Sequence, residues 1–149
     1  MKKLKALALG LVMTLLASGV VAAPHLRITF DPGGEIDHFL LKYDALHQAG
    51  AIVVIDGPCI SACTLVTAMI RRDRVCVTER ATMGFHSASL VSPFGRKHSE
   101  DGTALLWGLY PDDVKELVKE AGWDGKSEQT ALVFVQFEKL KKVFHTCES

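Results

Sequence analysis

A glycine pair, a serine and a histidine stand at intervals that suit acyl-transfer chemistry. Gly33-Gly34 follows Asp31-Pro32, Ser61 comes 28 residues after Gly33, and His86 comes 25 residues after Ser61. A serine hydroxyl is inert until a base takes its proton, and histidine is the usual base near neutral pH. A serine that opens a helix is followed by unpaired backbone N–H groups, so the Ala62 N–H is a candidate oxyanion donor. Glycine lets a reacting carbonyl approach the backbone closely, which makes the N–H of Gly33 or Gly34 the candidate second donor. Each residue also has a plain structural use. Ser61 can be a helix N-cap, His86 can make a single strand-end hydrogen bond, and the glycines can simply turn a strand into a helix.

These groups meet only if strand ends hold them on one edge. His25 to Phe30 alternates, with Leu26, Ile28 and Phe30 on one face, and predicts a half-buried strand. Ile36, Phe39, Leu40, Tyr43 and Leu46 recur at helical spacing, so Glu35 to Gln48 predicts a helix that stops at Gly50. Ala51 to Ile55 is a short apolar run rich in β-branched residues, as in a buried parallel strand. Gly57-Pro58 marks a turn, and Ser61 to Ile70 predicts a second helix. Arg74 to Thr78 and Ala81 to Phe85 predict strands, and the polar residues 87–103 predict a loop. Pro111 to Ala121 predicts a helix, with Asp112 and Asp113 complementing its dipole. Ala131 to Phe137 predicts a last strand and Glu138 to Phe144 a closing basic helix. The fold class is α/β: βαβ units around a mostly parallel sheet, in a single small domain. In such sheets the carboxyl ends of the strands face the site, which is where the glycine turn, Ser61 and His86 all fall.

From Arg27 to about Ser89 the chain resembles the Clp protease proteolytic subunit and its ClpP/crotonase superfamily. The resemblance runs through Asp31-Pro32-Gly33-Gly34, Gly57-x-x-x-Ser61-Ala62, Arg74-Val75-Cys76 and Met83-Gly84-Phe85-His86. It covers roughly half the chain beyond a leader. It implies a ClpP-like fold in which the Pro-Gly-Gly turn lends an oxyanion donor, Ser61 is the nucleophile and His86 the base. Laying the C-terminal strand and helix on the family pattern brings Glu128 near the third, carboxylate position, with Asp112 and Asp113 as alternatives. The Cys59-Ile60-Ser61-Ala62-Cys63 core resembles that of exported bacterial relatives. The family's N-terminal region is largely missing and its projecting helix is reduced, which favours a monomer or small homo-oligomer over a double ring.

Composition bounds the rest. The chain has 149 residues, 48% hydrophobic and 23% charged, with 17 basic and 17 acidic side chains. Lys2, Lys3 and Lys5, the apolar stretch Ala6 to Leu16 and the small residues that follow predict a cleavable leader over 1–22 and a ClpP-like α/β domain over 23–149. Removing the leader leaves 14 basic against 17 acidic side chains, a net of −3, which argues against a nucleic-acid partner. No other stretch has the length and apolarity of a membrane anchor.

The four cysteines, Cys59, Cys63, Cys76 and Cys147, suit two disulfides in an exported domain. Three pairings are possible, and a local Cys59–Cys63 bridge that leaves Cys76 to Cys147 is favoured. A zinc site is the rival, but the paired C-x2-C spacing is absent. The reading is therefore a periplasmic or secreted serine hydrolase, peptidase-like, acting on a peptide or acyl substrate with no metal or cofactor. The alternative is a non-catalytic binding or assembly module of the same fold. An acyl-CoA enzyme is a distant third, because no basic cluster stands near the glycine turn.

Overall fold

A computed structural model describes residues 22–148; the expected leader, apart from Ala22, lies outside the described residues. The chain is mixed α/β. Strand β1 (His25–Ile28) leads through helix α1 (Ile36–Gln48) to β2 (Ile52–Ile55). Short β3 (Pro58–Ile60) runs into a 3-10 segment (Ser61–Leu65) and the one-turn helix α2 (Val66–Met69). β4 (Val75–Val77) and β5 (Thr82–Phe85) follow, then the hairpin β6 (Ser89–Ser92) and β7 (Gly95–His98). Helices α3 (Glu100–Leu109) and α4 (Asp112–Glu120), strand β8 (Val133–Gln136), helix α5 (Phe137–Leu140) and β9 (His145–Thr146) complete it.

Two small sheets result. The first has the order β1-β2-β4-β9 and every pairing in it is parallel. The second has the order β3-β5-β8, with β3 parallel and β8 antiparallel to β5. The β-branched run of β2 suits the first sheet's interior: Val53 and Ile55 are fully buried. Phe39 and Tyr43, four apart on α1, turn the same face into the core. Val114, Leu117 and Val118 do the same for α4, while Asp112 and Asp113 occupy its first turn. Trp107 and Trp123 pack edge to face, centroids 5.5 Å apart.

Three local expectations are corrected. Residues 87–103 are not a loop: they form the β6–β7 hairpin and the start of α3, whose N-cap Ser99 accepts from the Gly102 N–H at 3.1 Å. The closing basic helix expected over Glu138 to Phe144 is a single turn, Phe137–Leu140. The helix expected over 61–70 is a 3-10 segment followed by a single α-turn.

All four cysteines are paired, Cys59 with Cys63 and Cys76 with Cys147. Two disulfides fit an exported protein. The second spans 71 residues and binds β4 to the C-terminal strand; closing a loop of that length in the unfolded chain stabilises the fold by about 4 kcal/mol.

The carboxyl edge of the first sheet is tied by Asp56. Its buried carboxylate accepts from Thr78 Oγ1 at 2.7 Å, from Arg27 at 2.8 Å and from Arg80. These donors come from β1 and from the segment just after β4, so one side chain joins three parallel strands. The Thr78 hydroxyl, then Arg27 and Arg80, hold its pKa well below the usual carboxylate range. A depressed native pKa adds stability that is complete above the unfolded carboxylate value of about 3.9 and is lost as pH falls through the native value. Urea unfolding from pH 7 to 2 should therefore show stability falling below about pH 4, and Asp56→Asn should be less stable at pH 7 with a shallower fall on the acid side. An unchanged acid slope in Asp56→Asn would contradict this role.

Candidate active site

The candidate residues gather at the second sheet. In the β3–β5 register Cys59 faces Met83 and Ile60 faces Gly84. The pairing ends there: Ser61 is the first residue after β3 and opens the 3-10 segment, and His86 is the first residue after β5. Adjacent strands run about 4.8 Å apart, so Ser61 and His86 share one edge. On its other side β3 meets the end of the β1 segment: Asp31 bridges to Cys59, the Asp31 N–H donates to Pro58 O at 2.8 Å, and Ile60 N–H donates to Asp31 O at 2.9 Å. The Pro32-Gly33-Gly34 turn is thereby laid against Ser61.

Ser61 has φ +57°, the left-handed region, and is the sole non-glycine residue there among the described residues. A serine in that conformation is under steric strain that its surroundings must offset. Several contacts do so. Thr64 Oγ1 donates to the Ser61 carbonyl at 2.6 Å and lies 2.6 Å from the Tyr110 hydroxyl. Having spent its one hydrogen on Ser61, Thr64 accepts from Tyr110. Tyr43 donates to Cys63 O at 2.9 Å. Burial pushes the Tyr110 hydroxyl up to about 12 and raises that of Tyr43 as well, with the Asp31 charge adding to the latter. Both phenols therefore stay protonated and keep donating at physiological pH. The Cys59–Cys63 disulfide brackets Ser61 from both sides.

Gly33 fits because it lacks a side chain. It has φ +80°, and a Cβ there would clash with Ile60 O, stand 2.8 Å from Ser61 Cβ and stand 2.9 Å from Ala62 N. Its own N–H is occupied, donating to Asp31 Oδ1 at 2.9 Å. The N–H groups of Gly34 and Ala62 are the two expected oxyanion donors without an intramolecular acceptor among the described residues.

His86 is half-buried at the end of β5. Its Nδ1 lies 2.7 Å from the Ser87 carbonyl. A carbonyl only accepts, so Nδ1 carries the proton and Nε2 is left as the basic lone pair. Ser87 is anchored in turn: its N–H donates to Gln129 O at 2.9 Å, and its hydroxyl accepts from the Gln129 N–H at 3.1 Å. Glu128 and His86 line the same cavity, but no hydrogen bond joins them. Asp113 pairs with Arg72 at 2.9 Å and Asp112 with Lys115 at 3.3 Å. Ser61 Oγ and His86 make no hydrogen bond with each other.

Sequence reasoning missed Ser87, Thr64 and Tyr110 as supports of the site. It also missed the role of Asp31, although Asp two residues before a turn glycine is an Asx-turn signal. No group of three or more His, Cys, Asp and Glu side chains gathers to hold a metal among the described residues, and no helix there is long and apolar enough to cross a membrane.

Gly33→Ala tests the close approach. It should lower stability by about 2 kcal/mol or more, the scale of a forced left-handed residue, and should broaden the amide signals of residues 60–62 in a nitrogen-proton correlation spectrum. An unchanged melt with unchanged amides would show that the turn does not bear on Ser61.

No protein-family model matches this chain, and no curated protein does.

Proposed function

We propose that the protein is an exported serine hydrolase of the ClpP/crotonase type, peptidase-like, with Ser61 as nucleophile and His86 as general base. One observation carries the reading: Ser61 is held left-handed at a strand end, with the glycine turn packed on its backbone and His86 on the adjacent strand. A strained serine presented at a sharp strand-to-helix turn is how several hydrolase folds expose a nucleophile.

The chemistry follows from the donors and the lone pair. Ser61 Oγ attacks the acyl carbonyl and its proton passes to His86 Nε2. The Gly34 and Ala62 N–H groups receive the charge that develops on the carbonyl oxygen. His86 then returns the proton to the leaving amine or alcohol, and a water activated by the same nitrogen releases the acyl group. The Ser87 carbonyl does for the histidine what a carboxylate does in a triad: it fixes the tautomer and the ring. Being neutral, it stabilises the imidazolium less than a carboxylate would, which makes esters easier substrates than peptide and other amide bonds.

A second reading, a binding module without catalysis, draws on the lack of a Ser61–His86 hydrogen bond and on a Glu128 that makes no hydrogen bond with the ring. Labelling the oxidised protein with a fluorophosphonate probe separates the two. The expected result is one label on Ser61, none in Ser61→Ala, a rate lowered about 100-fold or more in His86→Ala, and a rate nearly unchanged in Glu128→Gln. Folded protein that takes no label would support the binding module, and a large loss in Glu128→Gln would make Glu128 the third member.

A further inference from the structure

The hairpin that follows His86 brings charge to the site that the hydrolase chemistry does not use. A cavity of about 130 Å³ opens beside His86, between residues 86–89 and the β7 residues Arg96, Lys97 and His98, with Glu128 and Thr130 on its other wall. Every other arginine of the chain has a polar partner. Arg27 and Arg80 hold Asp56, Arg71 pairs with Asp73, Arg72 with Asp113, and Arg74 donates to Gly50 O. Arg96 has none, and neither has Lys97, among the described residues. Arg96 and His98 are two apart on β7 and so share one face of the hairpin. The half-buried His98 imidazole lines the same cavity, and its Nδ1 makes no hydrogen bond within the described residues. Glu128 is the one acidic residue on the wall, and it pairs with neither cation, so the cavity has a surplus of positive charge.

We propose that this cavity binds a carboxylate through Arg96, with His98 as a second hydrogen-bonding group. The planar guanidinium grips a carboxylate with two parallel N–H bonds. The volume suits a short carboxylate-bearing chain and falls below the roughly 300–1,000 Å³ of pockets that take larger molecules. Resting on the hydrolase reading, the substrate class is an acyl or peptide substrate with an acidic side chain or a free carboxylate near the scissile bond.

The test reads binding without catalysis. Glutarate, which has no bond to hydrolyse, is titrated into nitrogen-15-labelled oxidised protein, with neutral 1,5-pentanediol as the control. Saturable amide shifts confined to residues 86–89 and 96–98, seen with glutarate and not with the diol, are expected. Arg96→Gln, on an exposed strand remote from the core, should weaken binding about tenfold or more. No saturable shift, the same shift with the diol, or an unaltered midpoint in Arg96→Gln would overturn the proposal. Fluorophosphonate labelling of Ser61 does not need Arg96. Label without glutarate binding therefore sinks the subsite alone, while glutarate binding without label supports the carboxylate site and sinks the hydrolase reading.

Discussion

Only a hydrogen atom fits between the glycine turn and the backbone at Ser61. That close approach of Gly33 to Ile60, Ser61 and Ala62 is the constraint around which the second sheet is arranged. Beside it β3 ends at Ile60, and the Asp31–Cys59 bridge lies on one side. There the chain turns at Ser61 into a conformation that L-residues avoid. Strain of this kind persists only where neighbours over-determine it. Here the neighbours are the Tyr110–Thr64–Ser61 hydrogen-bond relay, the Tyr43–Cys63 hydrogen bond and a short disulfide.

The two sheets divide the work. The first is held by burial of β-branched side chains, by the Asp56 knot at its carboxyl edge and by the long disulfide. The second is short, with a three-residue strand at its edge, and it presents the serine, the histidine and the glycine turn. A site built on short strands needs such a frame, because positions must hold to a fraction of an ångström for directed hydrogen bonds to act on a reacting atom.

Much of this was legible in residue order. The alternation from His25 to Phe30, the helical spacing of Ile36 to Leu46 and the apolar run at Ala51 each follow from one burial pattern, and each element forms within a few residues of its expected bounds. The glycine turn, Ser61 and His86 were visible because strand-end positions in an α/β chain are few. The hairpin at Ser89–His98 was hidden because its strands are largely exposed: β6 is Ser-Leu-Val-Ser with both apolar residues in solvent and β7 is Gly-Arg-Lys-His, so no apolar alternation signals them. Helix α3 was hidden by Gly102 near its start and Gly108 near its end, which lower helix propensity. The Thr64–Tyr110 contact joins residues 46 apart, and nothing local in either segment announces it. The Ser87 carbonyl is a main-chain group, and a search for a third side chain passes over it.

The central claim is that Ser61, the Gly34 and Ala62 N–H groups and His86 Nε2 act together on one acyl group. A crystal structure of the oxidised protein after reaction with a small fluorophosphonate tests it most directly. The account predicts a phosphoryl group on Ser61 Oγ, with one oxygen within about 3.1 Å of both the Gly34 and the Ala62 nitrogens and His86 Nε2 turned toward the ester oxygen. An unmodified Ser61, or an adduct whose oxygens face solvent while Gly34 and Ala62 stay unpaired, would contradict it.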